Sequence, residues 1–284
     1  MKKILCILLT ALLFSPLALR GGETGEEALR PVSSAFMFDA GSTHLLDTYL
    51  SQLKYTGWHL AFSYERNQAM KFAPELWRQQ LSLGLEFNRG ENPARNASML
   101  YGNLEASWAM SRLWKLPRRF WISAGGRAGA DLGGVYNDRN SNNPAAVKAD
   151  IYLGATAAAG WSVTLGKLPV SLRWQTSLPL LGVFFSPEYD ELYYEIYLGN
   201  HHGLAHCGWP GNLFRWDNLV TADLGLGTSS LRLGFRSRIY STEVNHITTR
   251  TFSYAFVLGV VTDWLSVSPR KKMPAPDRKV EWVY

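Results

Sequence analysis

Apolar and polar residues alternate over long stretches of this chain, and this pattern constrains the fold more than any other feature. In residues 81–88, for example, the odd positions are Leu, Leu, Leu and Phe, and the even positions are Ser, Gly, Glu and Asn. A period of two is typical of β-strands, because successive side chains of a strand point to opposite faces. No stretch between Glu27 and Ser266 has the period of a long amphipathic helix. We therefore expect an all-β protein.

The alternating stretches predict an antiparallel up-and-down barrel of ten strands. They lie at about 34–42, 58–65, 81–88, 100–110, 120–132, 151–165, 170–178, 220–226, 231–239 and 252–264. A rival count of twelve strands is open, because residues 191–199 also alternate and the chain ends in an alternating segment at 278–284. A closed barrel leaves no exposed strand edge with either count.

Several features favour a transmembrane barrel with its apolar faces towards lipid over a secreted soluble barrel, which would alternate too. Strands of about 10 residues or more fit a tilted crossing of a bilayer. Tryptophans fall towards strand ends, where interfacial girdles belong, at Trp58, Trp77, Trp108, Trp121, Trp161 and Trp264. Lysine is confined to strand ends and connections, at Lys54, Lys71, Lys115, Lys148 and Lys167. We therefore predict a location in the outer membrane of a Gram-negative cell.

The lengths of the connections support this prediction. If the first strand starts in the periplasm, the short links fall on the periplasmic side, at 111–118, 166–168 and 227–229. The longer polar links then face the outside, at 43–54, 89–96, 136–146 and 185–216. Outer-membrane barrels show this asymmetry, and the periplasmic link at 67–76 is an exception of medium length.

Residues 1–20 have the pattern of a cleaved signal peptide. Lys2 and Lys3 precede an apolar core that Pro16 interrupts, and this core is too short to span a bilayer. We expect a short segment at 21–33, the barrel at 34–265 and a basic tail at 266–284, which would contain the last strand in the twelve-strand count. Cleavage would leave Cys207 as the one cysteine of the mature chain, which excludes an intramolecular disulfide.

The formal charge of +6 comes from the two ends of the chain. Residues 1–20 and 266–284 each carry an excess of three bases, and the residues between them hold equal numbers of acids and bases. A nucleic-acid partner would require a basic face on the folded domain, so we expect none. The basic tail would instead meet anionic lipid headgroups or a periplasmic partner.

The polar strand faces predict a lumen filled by paired charges, because a barrel of roughly eight to ten strands is just wide enough for its own side chains. Acids come mainly from early strands and arginines from later ones, and unpaired buried charge is costly. The predicted ion-pair network consists of Glu65, Glu86, Glu105, Arg127, Asp131, Arg173, Asp223, Arg232, Arg236 and Arg238. The alternative is a polar conduit, which would make the protein a narrow channel.

The link at 185–216 holds the densest set of reactive side chains. Candidate bases are His201, His202 and His206, and candidate nucleophiles are Ser186 and Cys207. However, the sequence has no Gly-x-Ser-x-Gly turn and no recognised zinc-site spacing, so we expect neither metal nor cofactor. An outer-membrane lipid hydrolase or acyltransferase that uses these histidines is the second functional hypothesis.

Four segments resemble a family of Bacteroides-type outer-membrane barrels of unknown function. They are Gly-Val-Phe-Phe-Ser-Pro at 182–187, Leu-Tyr-Tyr-Glu-Ile-Tyr-Leu-Gly-Asn at 192–200, His-Cys at 206–207 and Val-Asn-His-Ile-Thr at 244–248. The resemblance covers nearly the whole mature chain. It implies an outer-membrane location and a barrel, and it brings no known activity or catalytic residues.

From these features we predict a monomeric protein of the cell outer membrane with a structural or binding role. The long loops at 43–54, 136–146 and 185–216 would present a surface to an extracellular ligand or partner. The other expected partners are outer-membrane lipid, the barrel assembly machinery during biogenesis, and a periplasmic partner for the tail.

Overall fold

The structure is a computed structural model that describes residues 30–266 except residues 201 and 228. The predicted signal peptide, residues 21–29 and residues 267–284, with the alternative last strand, lie outside the described residues. No helix in the described part is long and apolar enough to cross a membrane.

Eleven strands make up most of the described chain. They are β1 (Arg30–Asp47), β2 (Ser51–Ala69), β3 (Trp77–Glu91), β4 (Ser98–Lys115), β5 (Phe120–Asn137), β6 (Ala145–Leu165), β7 (Leu168–Phe185), β8 (Ala205–Gly208), β9 (Leu213–Gly225), β10 (Ser229–Val244) and β11 (Ile247–Ser266). Two short helical elements interrupt them, a 3-10 turn at Pro117–Arg119 and helix α1 at Tyr193–Tyr197.

Ten of these strands form a closed antiparallel barrel, which confirms the predicted architecture. Each of them pairs with its neighbours in the order β1 to β7, then β9, β10 and β11. β11 returns to pair with β1 along its whole length, from Arg30↔Ser266 to Asp47↔Thr249. The rival assignment of a strand at 191–199 is wrong, because these residues contain α1.

The strand that pairs with β7 changes along its length, from β9 to β8. These strands pair from Val170↔Leu224 to Ser177↔Asp217 and no further. Pro179 follows on β7, and its missing N–H prevents it from donating to the β-sheet. The end of β7 pairs instead with the four-residue strand β8, from Gly182↔Gly208 to Phe185↔Ala205. This exchange carries the chain out of the wall and into its longest connection.

The two ends of the barrel differ. We call the end with links 48–50, 92–97, 138–144, 186–212 and 245–246 the upper end, and the end with links 70–76, 116–119, 166–167 and 226–228 the lower end. The prediction of a long loop at 43–54 is wrong, because β1 and β2 continue to a tight turn at 48–50. Short links therefore occur at the upper end too. The turn between β10 and β11 consists of Asn245 and His246, both with positive φ, as two-residue hairpin turns require.

The apolar strand faces point outward, as predicted for a barrel in lipid. Phe36, Leu85 and Phe256 are 51%, 54% and 77% exposed, whereas the residues that follow them, Met37, Glu86 and Val257, are buried inside the barrel. Trp121 is an exception to the predicted outward girdle, since it is buried inside near the lower end at 3% exposure. The side chain of Trp264 lies outside the described residues.

Inward apolar side chains close the upper end of the lumen. One buried cluster consists of Leu45, Leu50, Tyr55, Ala97, Met99, Tyr101, Val135 and Ala146. Leu50 and Ala97 belong to upper links, which places the cluster inside the mouth. Packing of this cluster explains why β1 and β2 extend beyond the predicted strands, because Leu45 and Tyr55 are buried only in the extended hairpin.

Candidate functional site

Ion pairs cross the middle of the lumen between opposite walls. Glu65 of β2 accepts a hydrogen bond from Arg173 of β7, with 2.7 Å between Oε2 and Nη2, and lies 3.4 Å from Arg232 of β10. Arg232 also donates from Nε and Nη2 to the two carboxylate oxygens of Asp223, both at 2.7 Å. Because β2 and β7 stand opposite each other in the wall, the pair between Glu65 and Arg173 spans the interior.

Arg236 of β10 connects three other strands. Its Nη1 lies 2.6 Å from Oδ2 of Asp39 on β1 and donates to Ser63 Oγ on β2 at 3.3 Å. Its Nε lies 3.9 Å from Asp217 on β9. Asp39 is fully buried, so Arg236 supplies the charge that compensates it.

Arg238 lies among three carboxylates. Its guanidinium nitrogens are 3.3 Å from Glu86, 3.6 Å from Glu105 and 3.3 Å from Asp217. Glu105 also accepts a 2.8 Å hydrogen bond from Arg127 on the neighbouring strand. These shared partners join Arg127, Arg238 and Arg236 into one network, because Arg236 also lies beside Asp217.

The upper part of the lumen holds a second arrangement around Arg215. Its guanidinium carbon is 5.3 Å from the ring centre of Tyr152 and 5.0 Å from that of Tyr240, within the range of cation–π contact. The same group pairs with Asp131 and, at 3.3 Å, with Asp150. Asp131 and Asp150 are directly opposite in the register of β5 and β6, so Arg215 offsets the repulsion between two adjacent carboxylates.

Two further buried contacts lie in the upper half. His59 Nδ1 is 2.6 Å from Asn88 Oδ1 and 3.4 Å from Glu86. Lys148 Nζ is 2.7 Å from Asp47 Oδ2, and this pair joins β6 to β1 across the mouth. Lys148 lies near the start of β6, as expected for a lysine at a strand end, but its side chain is buried in the lumen.

Little space is left between these groups. Two cavities of about 30 Å³ each lie in the lumen. Charged residues of the ion pairs, including Glu105, Asp217 and Arg238, line both of them. Each has room for about two water molecules, since one needs roughly 10–15 Å³. A ligand of drug-like size needs a pocket of about 300 Å³ or more, which neither cavity provides.

Every residue of the predicted ion-pair network makes at least one ion pair in the structure. Sequence reasoning missed further members, which are Asp39, Asp47, His59, Lys148, Asp150, Arg215 and Asp217. The signal for several of them was present. Asp39 shares the parity of the inward face of β1, and Arg215 and Asp217 continue the inward parity of Asp223 beyond the predicted start of β9 at residue 220.

Two of the predicted catalytic candidates, Ser186 and His206, lie close together but do not form a nucleophile–base pair. The hydroxyl of Ser186 is buried and donates to the carbonyl of Pro187 at 3.3 Å. His206 Nε2 instead contacts the backbone carbonyl of Ser186 at 3.0 Å. Cys207 and His202 are exposed, and His201 lies outside the described residues. No group of three or more His, Cys, Asp or Glu side chains in the described part could hold a metal ion.

Residues 186–200, which we call the lid, cross the mouth of the barrel. Tyr49 in the β1–β2 turn donates to the carbonyl of Glu191 at 2.8 Å, and the N–H of Val147 on β6 donates to the Tyr193 hydroxyl at 2.6 Å. β1 and β6 lie on opposite sides of the barrel, so these contacts hold the lid at both sides of the mouth. Burial, together with the Glu191 carboxylate, raises the pKa of Tyr49 to about 12.

The family of the chain follows from its sequence, whose residues 4–271 match the profile of a family described as protein of unknown function (DUF3316). The chain belongs to this family. The match supports the predicted resemblance to a family of unknown function. That this family is of Bacteroides type stays a prediction. No curated protein matches the sequence of this DUF3316 member.

Solved structures similar to this DUF3316 chain include outer-membrane barrels of different kinds. The outer membrane protease OmpT from Escherichia coli has 6% identity and a TM-score of 0.47, over 85% of this chain and 99% of that chain. The β domain of the Bordetella autotransporter BrkA has 11% identity and a TM-score of 0.41, over 82% and 98%. The translocator domain of NalP from Neisseria meningitidis has 9% identity and a TM-score of 0.34, over 92% and 95%. These similarities concern the fold and carry no argument about activity.

Proposed function

We propose that this protein is a sealed, monomeric outer-membrane barrel whose upper end faces the cell exterior and binds an extracellular ligand or partner. The observation that carries the proposal is the closure of the molecule at two levels. Ion pairs such as Glu65–Arg173 join opposite walls of the lumen, and the lid is fastened across the mouth above them. A barrel closed in this way offers its upper surface for interaction in place of a pore.

The outward face supports the membrane location. Exposed Leu, Ile, Val and Phe side chains cover the middle of nearly every barrel strand, including Leu104, Leu132, Ile151, Val220 and Leu258. Such a continuous apolar belt would be unfavourable in water and is typical of a lipid-facing barrel. Outer-membrane lipid would contact this belt after the barrel assembly machinery inserts the chain. The basic tail would then remain in the periplasm.

The two other hypotheses receive less support from the geometry. A lipid hydrolase or acyltransferase that activates Ser186 with His206 would need the two side chains in contact, whereas His206 contacts the carbonyl of Ser186 and the hydroxyl of Ser186 donates to the carbonyl of Pro187. A channel would need a continuous polar path, whereas ion pairs such as Glu65–Arg173 cross the described lumen between opposite walls. We therefore favour a binding role for the upper surface.

The orientation can be tested with the natural cysteine of the upper end. Cys207 is exposed, so a membrane-impermeant maleimide added to intact cells should label it. A matched variant carries Cys207→Ser and Leu226→Cys, because Leu226 is 69% exposed in a lower link. This variant should be labelled only after the outer membrane is permeabilised. Labelling of Leu226→Cys in intact cells, with protection of Cys207, would reverse the proposed orientation.

A further inference from the structure

The outer face of the lid combines exposed aromatic side chains with acids. Tyr189, Tyr194, Tyr197 and Leu198 are 51%, 66%, 83% and 65% exposed. Tyr194 and Tyr197 are three residues apart on α1 and Leu198 caps its C-terminus, so these exposed side chains lie on the side of the helix that faces away from the barrel. Tyrosine in such a position is typical of binding surfaces, because it offers a large contact area at a low cost in conformational entropy.

The acids of this face have no cation to balance them. Glu188, Asp190 and Glu195 are exposed, and none of them forms an ion pair with a described residue. The whole link 186–212 contains neither Lys nor Arg. Elsewhere at the upper end the charges are mixed, and the exposed Glu243 has Arg250 at 3.8 Å. The lid therefore carries a local negative charge although the body of the chain is neutral.

Internal contacts hold this face in one shape. The buried carboxylate of Glu191 accepts hydrogen bonds from the N–H of Glu188 at 3.1 Å and from Nδ2 of Asn200 at 2.9 Å, which ties the two ends of the segment together. The carboxylate of Glu195 accepts from the N–H of Leu192 at 2.9 Å and caps α1. A surface fixed in this way loses little conformational entropy when it binds.

We propose that the outer face of the lid is the docking site for a polypeptide segment rich in Lys and Arg. Charge complementarity selects the partner, since the unpaired acids attract cations and repel anions. The exposed tyrosines then contact the guanidinium or ammonium groups through cation–π interactions. This inference rests on the proposed binding role of the upper end and names the chemistry of the partner.

A peptide-binding assay tests the site with folded protein in detergent micelles. The probe is a fluorescent nine-residue peptide of alternating Arg and Ser, and the reference is the same peptide with Glu in place of Arg. We expect the Arg peptide to bind and the Glu peptide not to bind. Replacement of the lid acids by Glu188→Gln, Asp190→Asn and Glu195→Gln should weaken binding about tenfold or more, and Tyr194→Ala with Tyr197→Ala should do so without any change of charge.

Non-specific attraction is separated from docking by a matched control. Glu75→Gln, Glu91→Gln and Glu243→Gln remove the same charge from exposed positions outside the lid. We expect these changes to leave the affinity within about twofold. Equal losses in the lid and control variants, or no loss with the tyrosine variant, would overturn the docking site. Because the assay needs no membrane orientation, it can fail while the labelling of Cys207 still supports the proposed function.

Discussion

Arg236 on β10 and Asp39 on β1 form an ion pair with 2.6 Å between Nη1 and Oδ2, although β11 lies between their strands in the wall. Asp39 is fully buried and Arg236 is 4% exposed. The pair therefore reaches over a neighbouring strand inside the lumen, and it contributes to closure of the barrel between its first and last strands.

Loss of Arg236 should destabilise the barrel strongly. Arg236→Gln leaves the buried Asp39 carboxylate without its main partner, and removal of one member of a buried pair costs about 3–5 kcal/mol. Arg250→Gln is the matched control, because Arg250 and Glu243 are exposed and such pairs contribute less than ~1 kcal/mol. The unfolding midpoints of both variants can be measured by denaturant titration in micelles, with heat-modifiable migration on gels as the readout of folded protein. Similar midpoints for the two variants would disprove a structural role for the lumen pair.

Arg215 should suppress the pH dependence of stability that repulsion between Asp131 and Asp150 would otherwise cause. In Arg215→Gln the two opposed carboxylates lose their shared cation, so protonation of one of them relieves repulsion in the folded state. The folded state then binds a proton that the unfolded chain does not, and the stability of the variant should increase as the pH falls from neutral to mildly acidic. The double variant Arg215→Gln with Asp150→Asn should lose this increase. A flat profile for the single variant would contradict the arrangement.

Tyr49 should titrate well above an ordinary tyrosine. Its pKa is raised from 10.0 to about 12, because burial and the nearby Glu191 carboxylate disfavour the phenolate. The folded protein keeps this proton where the unfolded chain loses it, so the contribution of Tyr49 to stability is present below pH 10 and is lost as the pH rises towards 12. The difference in ultraviolet absorbance between wild type and Tyr49→Phe should show one phenol that ionises near pH 12. Ionisation of that phenol near pH 10 would mean that the lid is not docked.

Gly160 should be intolerant of even one added methyl group. A Cβ at this position would collide with the indole ring of Trp121, which is buried inside the lower end. Gly160→Ala should therefore cost about 1–3 kcal/mol, as overpacking of a filled interior does. Gly102→Ala is the control, because its Cβ would meet no atom within 4 Å. Equal stability of the two variants would show that Trp121 does not pack inside the barrel.

The fold could be predicted well because period-two alternation is a local signal. It predicted ten strands, with twelve as an open alternative, and it assigned the outward and inward faces of residues such as Leu85 and Glu86. Alternation failed at the upper end, where Leu45, Tyr55 and Val135 are apolar but point inward, because the barrel there encloses an apolar cluster. Trp121 also points inward at the lower end, where the guanidinium carbon of Arg78 lies 5.7 Å from its ring centre.

The lid could not be predicted because its conformation depends on distant contacts. Residues 191–199 alternate as a strand would, yet α1 forms where Tyr193 meets Val147 and Glu191 meets Tyr49. The same holds for Lys148, whose partner Asp47 is on the opposite wall. Sequence parity identifies which side chains enter the lumen, but the pairs themselves follow from closure of the barrel.

The central claim is that the barrel is sealed, and electrical conductance of the reconstituted protein tests it most directly. Folded wild-type protein is reconstituted into lipid vesicles, which are then fused with a planar bilayer. Heat-modifiable migration of protein recovered from the same vesicles verifies that it is folded and inserted. We predict no stable conductance steps, because ion pairs cross the described lumen and the lid is held over the mouth from both sides. Regular ohmic steps from the inserted wild-type protein would contradict a sealed barrel.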